Sequence, residues 1–278
     1  MVLDKKVASV VLNMLKAVAD ASKYLVEIQS EITKIERKDD NSPVTIADRK
    51  SEEIIETYLS SSGIPFLGEE SFKANNIPHD GEFFLADPLD GTREFIKPSD
   101  EFAINLCWLK NFQPYIGIIA IPKKEIVYLG IIGKGLYIIP TSKIKSLENL
   151  QALEIFRHET SNAENKKTEV ETILISHWEK EKNIEILKGK FPKAKLVKLG
   201  SAIKFCEIAN RNADLYLRFS TVMEWDLAAG HALIKAAGGK VYPFLDTPEI
   251  SYGKTAPYSG KFITTSKYID MNIILEKF

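Results

Sequence analysis

Cysteine is scarce in this chain of 278 residues, which contains only two cysteines and four histidines. Cys107 and Cys206 lie inside apolar runs, and their spacing matches neither a metal site nor a redox motif. We therefore predict two small buried thiols with a structural role. A reducing, cytoplasmic environment is the expected setting for such a protein.

The sequence also has no excess of positive charge. The 37 lysines and arginines are balanced by 38 aspartates and glutamates, which gives a net charge of −1 and a pI near 6.5. No basic surface for nucleic acid is expected, although a few local cations could still bind a small anion. No apolar run reaches the ~20 residues of a membrane span, and Met1–Lys6 lacks the apolar core of a signal peptide.

The first half of the sequence has two successive patterns of apolar residues. Helical spacing of apolar residues predicts a long first helix from Val7 to Ile32, and Thr45 is a candidate cap for a second helix that Gly63 ends. Short apolar strands then predict an antiparallel meander: 82–86, 102–109, 115–121, 126–132 and 135–139. We interpret residues 1–145 as an α+β half with an antiparallel sheet.

The second half, residues 146–278, alternates between strands and helices. The polar stretch 141–171 is predicted to join the halves. Strands are expected at 172–175, 195–199, 214–219 and 240–244, and helices at 178–189, 202–210 and 226–237. This alternation is typical of an α/β half.

The segment Asp87-Pro88-Leu89-Asp90-Gly91-Thr92 follows the apolar strand Phe83–Ala86 and is the most informative part of the sequence. Proline forces a tight turn there, and carboxylates three residues apart can then converge. If a helix starts at this point, the amides of Gly91 and Thr92 could face a phosphate. A plain surface turn is the alternative interpretation, because Asp, Pro and Gly all favour turns.

Other acids also stand at the boundaries of elements. Glu69 and Glu70 follow the short strand Phe66-Leu67, and Asp226 opens a helix. Separately, the glutamates could be solvated surface acids, and Asp226 could be a helix N-cap. Together they can converge with the aspartates on one point in the folded chain.

Converging carboxylates repel each other by ~4 kcal/mol per pair at 4 Å and an effective dielectric constant of 20. Such a cluster needs raised pKa values or bound cations. Because the ligands are oxygens, Mg²⁺ is the first candidate and Mn²⁺ the second. Two such ions can activate water and stabilise a leaving oxygen, so phosphate ester hydrolysis is the predicted reaction.

These motifs resemble the lithium-sensitive inositol monophosphatase superfamily in order and spacing: Gly68-Glu69-Glu70-Ser71, Asp87–Thr92, and Trp225-Asp226 with Ala228-Ala229-Gly230. The resemblance implies a layered α-β-α-β-α sandwich with the active site between the two halves. It also implies two or three Mg²⁺ ions per site, inhibition by Li⁺, and a small phosphate ester as substrate. A homodimer is compatible with the resemblance, but no residue pattern supports it independently.

The same resemblance implies roles for individual residues. The metal ligands would be Glu69, Asp87, the carbonyl of Leu89, Asp90 and Asp226. Asp48 and Thr92 would orient the attacking water, Glu70 would hold a water beside the site, and the Gly91 and Thr92 amides would hold the phosphate. A helix-cap role for Thr45 and Asp48 remains open beside this one.

Within the superfamily, the sequence resembles the 3′(2′),5′-bisphosphate nucleotidases, which convert adenosine 3′,5′-bisphosphate to AMP. The stretches that carry this resemblance are 40–48, 92–97, 199–206 and 216–219. It places Ser201, Lys204, Arg218 and Asp226 near the nucleotide, with Ser176 and His177 flanking the base. A partly buried structural histidine is the alternative for His177.

Some residues depart from the nucleotidase pattern, namely Leu217, Asn210-Arg211-Asn212 and Tyr258-Ser259-Gly260. They leave the metal ligands intact and put only the choice of substrate in question. An inositol or other sugar phosphatase is therefore the alternative function. A catalytically dead, metal-binding scaffold is the second alternative, although every expected ligand is present.

Overall fold

The structure is a computed structural model that describes residues 4–32, 43–97, 99–158, 167–244 and 250–278. The sequence stretch 40–42 and part of the predicted junction, 159–166, lie outside these residues. The eight α-helices in the described ranges are α1 Lys5–Ile32, α2 Pro43–Leu59, α3 Thr92–Ile96, α4 Thr141–Ile144, α5 Glu181–Lys190, α6 Ile203–Ala209, α7 Glu224–Ala236 and α8 Met271–Leu275. Short 3₁₀ turns cover Ser60–Ser62, Ala74–Asn76, Pro122–Lys124 and Leu150–Phe156.

The strands of the described ranges form three sheets. They are β1 Phe66–Gly68, β2 Phe83–Asp90, β3 Ala103–Lys110, β4 Gln113–Ile121, β5 Ile126–Ile131, β6 Gly135–Pro140, β7 Thr172–Ile175, β8 Lys195–Lys198, β9 Leu215–Arg218, β10 Val222–Met223, β11 Lys240–Pro243, β12 Tyr258–Ser259 and β13 Phe262–Thr265. The first six pair in chain order, with β1 parallel to β2 and the rest antiparallel. The meander predicted from the sequence is confirmed.

The second large sheet is mixed and has the order β11-β13-β9-β7-β8. Strand β7 pairs in parallel with both β8 and β9, whereas β13 is antiparallel to its neighbours. Strands β10 and β12 form a separate two-stranded ribbon that leads into α7. Neither β12, β13 nor α8 was predicted from the sequence.

Alternating side chains of the six-stranded sheet face two different cores. Phe84 and Ile118 pack with Met14 and Val18 of α1 on one face, in a core that also includes residues of α2. Their neighbours on the opposite face pack against α6 and α7, among them Phe83 and Ile119 with Phe205 and Leu233. This period of two explains why the strands are apolar throughout: both faces are covered.

A third core covers the outer face of the mixed sheet. Ile173, Leu215 and Ile263 of that sheet pack there with Leu187 of α5 and Ile274 of α8. The order of layers is therefore helices, sheet, helices, sheet, helices, which confirms the α-β-α-β-α sandwich. The division of the chain into two halves at residue 145 stays a prediction.

Several predicted boundaries were wrong. Helix α2 begins at Pro43, so Thr45 lies inside the helix and is not its cap. Helix α5 begins at Glu181, three residues later than expected, which leaves Trp178 in a turn. Asp226 is the third residue of α7, where its carboxylate accepts a hydrogen bond from the Met223 N–H at 3.0 Å. It closes a capping box and does not occupy the N-cap position.

Two further observations bear on the sequence predictions. Cys107 and Cys206 are buried and unpaired with each other, and burial raises the pKa of both thiols. They are inert members of the core, as expected. Among the described residues, no helix combines the length and the apolarity needed to cross a bilayer.

Candidate active site

The site is built around a bulge near the end of β2. Strand β2 pairs with β3 as far as Asp87 opposite Asn105, and the register then shifts before Asp90 pairs with Ala103. The two residues of the shift are held in place because Ser51 Oγ donates to the Pro88 carbonyl at 2.9 Å and the Leu89 N–H donates to Asp87 Oδ1 at 3.0 Å. A bulge re-aims side chains, so Asp87 and Asp90 can converge.

The alternative interpretation of this segment as a surface turn is wrong. Asp87 and Leu89 are each only 2% exposed, and β2 continues through Asp90. Asp226 reaches the same place from the first turn of α7. One carboxylate oxygen of each aspartate, Asp87, Asp90 and Asp226, lies within 4.8 Å of the others, so the three could hold a metal ion.

Mutual repulsion and burial act on these carboxyls together. Burial is the main cause that raises the pKa of Asp87 well above its usual range, and the charges of Asp90, Glu69 and Asp226 add to it. Burial and Asp90 raise the pKa of Asp226 to about 7. A bound cation would offset the repulsion and the cost of burial, because it favours the charged form of every acid around it.

Glu69 and Glu70 follow β1, which lies parallel to β2 and brings them to the same edge of the sheet. Partial burial and the charges of Asp226, Glu70 and Asp90 raise the pKa of Glu69 to about 7, although part of its side chain faces solvent. Glu70 Oε2 lies 3.6 Å from Arg49 Nε. Glu69 therefore interacts with the three aspartates, and Glu70 lies next to Glu69 and close to Asp48.

The acid Glu52 supports this turn and was missed in the sequence. It is 4% exposed, and its Oε2 accepts a hydrogen bond from the Glu70 N–H at 2.9 Å. A Cβ at Gly68 would lie 2.1 Å from that carboxylate, so a larger residue there would displace the Glu52 side chain from this position. Glu52 stands four residues after Asp48, on the same face of α2, and this spacing is the signal that could have revealed it.

Asp48 and Thr92 are the expected partners for a water. Burial and the charges of Glu70, Glu69 and Glu52 raise the pKa of Asp48 to about 8, so it lies among the acids of the site. The Thr92 hydroxyl donates to the Leu89 carbonyl at 3.4 Å. A direct pairing of Thr92 with Asp48 stays a prediction.

Gly91 connects β2 to α3 in a left-handed conformation with φ = 95°. A side chain there would also approach the Glu101 carbonyl and the Ser201 side chain at 3.1 and 3.3 Å. Helix α3 begins at Thr92, as the sequence suggested. The start of a helix presents free N–H groups, which suit a phosphate.

Asp90 joins the N-terminal residues to the loop that precedes α6. Its Oδ2 accepts hydrogen bonds from Ser201 Oγ at 2.8 Å, the Ala202 N–H at 2.5 Å and Asn105 Nδ2 at 3.3 Å. Ser201 adopts φ = 53°, which is unusual for a non-glycine residue. A polar Asn105 in the middle of the apolar strand 102–109 is the sequence signal that could have revealed this contact.

A cavity of about 320 Å³ opens beside these residues. It is lined by Asp90, Gly91, Thr92, Arg93, Glu94, Ser176, Trp178, Gly200, Ser201, Ala202, Lys204, Phe205, Tyr216, Arg218, Val222, Asp226 and Phe262. Asp90 and Asp226 of the acid cluster thus share one cavity with basic residues.

The two predicted cations differ in their surroundings. Lys204 is 3% exposed, and its amine donates to the carbonyls of Leu199 at 2.9 Å and Ser201 at 2.6 Å. Burial lowers the pKa of Lys204 to about 8. By contrast, the buried Nε of Arg218 has no hydrogen-bond partner among the described residues. Lys204 therefore supports the loop around Ser201, whereas Arg218, which also interacts with the Tyr216 side chain, keeps one donor that could bind an anion.

Ser176 and His177 end up in different places. Ser176 lines the cavity, whereas His177 is absent from the described lining, and its Nε2 lies 2.6 Å from Glu101 Oε2. The same oxygen of Glu101 accepts the Gly200 N–H at 2.7 Å. The role of His177 beside a base stays a prediction, and its neighbour Trp178 lines the cavity instead.

Comparison with known proteins agrees with this architecture. Residues 4–271 match the inositol monophosphatase family. The chain belongs to this family. Its acid cluster lies on the motifs that carried the resemblance in the sequence, on β1, β2 and α7.

Curated relatives cover most of the chain. The 3′(2′),5′-bisphosphate nucleotidase CysQ of Buchnera aphidicola is 32% identical over 207 residues, which are 73% of this chain and 72% of the relative. The protein of the same name from Salmonella typhimurium is 31% identical over 228 residues, or 81% and 83% of the two chains.

Solved structures share the fold. CysQ from Bacteroides thetaiotaomicron, described as a bacterial member of the inositol monophosphatase family, superposes with a TM-score of 0.78 and 32% identity over 92% of this chain and 96% of its own. Inositol monophosphatase II from Staphylococcus aureus reaches a TM-score of 0.71 at 19% identity, over 94% and 90% of the chains. The second likeness concerns the fold alone.

Proposed function

We propose that this chain is a Mg²⁺-dependent phosphomonoesterase that removes the 3′-phosphate of adenosine 3′,5′-bisphosphate and releases AMP. The observation that carries the proposal is the single cavity lined by Asp90, Asp226 and Arg218. A bisphosphate nucleotide has one phosphate for the acid cluster with its cations and a second for the guanidinium. The relatives named 3′(2′),5′-bisphosphate nucleotidase support the same substrate.

The donor atoms fit Mg²⁺. The cluster of Asp87, Asp90 and Asp226 offers oxygens only, which hard divalent cations prefer. We assign Glu69 and the Leu89 carbonyl to the same set, for two or three ions, with Mn²⁺ as a substitute and Li⁺ as an inhibitor. Bound Mg²⁺ supplies positive charge that polarises the phosphate oxygens and lowers the pKa of a water molecule.

The chain's own groups orient the reactants. The N–H groups of Gly91 and Thr92 hold the 3′-phosphate, and Arg218 holds the 5′-phosphate by charge-assisted hydrogen bonds. Thr92 and Asp48 orient a water, with Glu70 beside it, and the Asp48 carboxylate takes up the proton of that water through the Thr92 hydroxyl. The water oxygen bonds to phosphorus, the bond from phosphorus to the 3′ oxygen breaks, and that oxygen takes a proton from solvent and leaves as the hydroxyl of AMP.

Phosphate release by the purified protein tests the proposal. With Mg²⁺ present, adenosine 3′,5′-bisphosphate should be hydrolysed with a much higher kcat/KM than inositol 1-phosphate. A preference for inositol 1-phosphate would retain the metal site and overturn the nucleotide assignment. Absence of release from both substrates and from a wider set of phosphate esters would favour the metal-binding scaffold.

Variants of Arg218 test the second phosphate site. Arg218→Ala should reduce kcat/KM for the bisphosphate far more than for inositol 1-phosphate, because only the former has a phosphate for the guanidinium. Arg218→Lys is the matched control and should retain part of the activity, since it keeps the charge without the planar donor fork. Equal losses on both substrates would remove the reason for the assignment.

A further inference from the structure

Trp178 is an exposed aromatic residue at the rim of the cavity. It lies in the turn after β7, and 52% of the residue is exposed, although large apolar side chains are usually buried. The two other tryptophans, Trp108 and Trp225, are 2% and 5% exposed. The proposed hydrolysis of the phosphate ester makes no use of this indole.

The indole is held in a fixed orientation. Its Nε1–H donates to Glu94 Oε1 at 3.2 Å, across 84 positions of the sequence. The guanidinium carbon of Arg93 lies 4.9 Å from the ring centroid, and the Lys97 amine lies 5.0 Å from it. Arg93 and Lys97 are four residues apart and project from one side of α3 and its C-cap, so both cations reach the ring from that helix.

An indole held in this way can stack on another aromatic ring. Aromatic faces bind nucleobases by stacking, which needs no particular pattern of donors and acceptors. The cations over the indole hold it in place before the ligand arrives. Inositol and other polyols have no aromatic ring to stack there. The cavity therefore carries a feature that distinguishes a nucleotide from a sugar phosphate.

We infer that Trp178 is the stacking platform for the base of the nucleotide and a specificity-determining residue of the site. The inference rests on the proposed function, because it concerns the substrate of the same cavity. It differs from the prediction for His177, whose ring nitrogen is bound to Glu101. Glu94, Arg93 and Lys97 then act as positioning residues for the platform.

Binding of AMP and of ribose 5-phosphate, which is AMP without its base, tests the platform directly. Calorimetric titration with Mg²⁺ present should show that wild-type protein prefers AMP. Trp178→Leu should reduce this preference by roughly 5- to 150-fold, the range expected for loss of one base–aromatic stack. Trp178→Phe, which keeps an aromatic face, should retain most of it.

Two results would overturn the inference. The first is an equal loss of affinity for AMP and ribose 5-phosphate in Trp178→Leu. Trp178 would then have only a structural role, as the residue that links Glu94 to the turn after β7. The second is an unchanged preference for AMP in that variant. AMP should also quench the fluorescence of the wild-type protein and leave that of Trp178→Phe largely unquenched.

The outcomes separate the platform from the activity. If AMP binds with stacking but adenosine 3′,5′-bisphosphate is not hydrolysed, the proposed reaction fails and the platform stands. If the bisphosphate is hydrolysed and Trp178→Leu keeps the full preference for AMP, the reaction stands and the platform fails.

Discussion

Asp90 receives more hydrogen bonds from distant parts of the chain than its sequence motif suggests. One of its carboxylate oxygens accepts from Ser201, Ala202 and Asn105, while the side chain also lies in the acid cluster and lines the cavity. The acid itself could be predicted, because it stands in a motif beside a proline and a glycine. Its partners could not, since Ser201 is 111 positions away and becomes a neighbour only in the folded chain.

Asp90→Asn separates the chemistry of this residue from its structural role. The amide keeps an oxygen that can accept from Ser201 and Ala202, so the fold should persist. One negative charge is lost from the cluster, and we expect turnover to fall by more than ~100-fold, beyond the usual cost of losing a supporting hydrogen bond at a metal site. The metal-free variant should melt no lower than the wild type, because repulsion with Asp87 and Asp226 is relieved.

Phosphate release and thermal melts with a chelator present measure the two effects. Asp100→Asn, which alters an exposed acid ten residues further on, is the control and should change neither. Retained turnover in Asp90→Asn would contradict the assignment of Asp90 to the metal ligands.

At the scale of elements, α7 is the helix whose placement matters most, because it carries Asp226. Its position depends on close approach to glycines. A Cβ at Gly117 of β4 would lie 2.5 Å from the Ala229 carbonyl, and a Cβ at Gly130 of β5 would lie 2.8 Å from Leu233 Cα. The periodicity of the sequence predicted this helix within two residues at its start, and it predicted the strands. It could not predict which helix lies against which glycine, since that depends on packing between distant segments.

Gly117→Ala should lift α7 from the sheet. The added methyl group meets backbone atoms of the helix, and overpacking of this kind costs ~1–3 kcal/mol. For a protein of this size each kcal/mol lowers the melting temperature by roughly 2–4 °C. Because the helix moves with Asp226, the affinity for Mg²⁺ should fall as well. Thermal melts and a titration with Mg²⁺ measure both effects.

Gly189→Ala is the matched control for this change. Gly189 lies in α5, and no heavy atom lies within 4 Å of a Cβ built there. Alanine favours a helix over glycine, so this variant should be unchanged or slightly more stable. A wild-type melting temperature for Gly117→Ala would show that α7 is not held as tightly as the geometry indicates.

For the molecule as a whole, the site arises where separate parts of the chain meet. The acids come from the turn after β1, from β2 and from α7, and the cavity is completed by residues of β9 and of the turn after β7. The motifs in the sequence were sufficient to predict the acid cluster and the layered fold. They were not sufficient for the cavity wall: Trp178 was assigned to a helix, and the Lys204 amine turned out to donate to two carbonyls. Such outcomes depend on loop conformation, which apolar periodicity does not encode.

This crowding of acids makes the stability of the metal-free protein depend on pH in a definite direction. The pKa values of Glu69 and Asp226 are raised to about 7 and that of Asp48 to about 8, against about 4 in an unfolded chain. Between these limits the folded state binds more protons than the unfolded state. The free energy of unfolding must therefore fall as pH rises, until the acids are ionised above pH ~8.

Other titratable groups restrict the pH range in which the acids of the site determine how stability changes with pH. Burial lowers the pKa of His231 to about 3, so this histidine adds stability as pH rises towards ~6.5 and opposes the acids there. Lys204, with a pKa lowered to about 8, makes stability increase with pH only above that value. The acids of the site thus dominate between pH ~6.5 and pH ~8.

In that window we expect the melting temperature of chelator-treated protein to decrease as the pH is raised. Mg²⁺ should restore stability by an increment that grows over the same range, because cations and protons compete for the same carboxylates. Thermal melts at closely spaced pH values, with chelator or with Mg²⁺, give both curves. The slope of the chelator curve should be smaller in Asp90→Asn, where one charge has been removed from the cluster. A melting temperature that rises across the window without metal would contradict the raised pKa values and, with them, the convergence of the acids on one site.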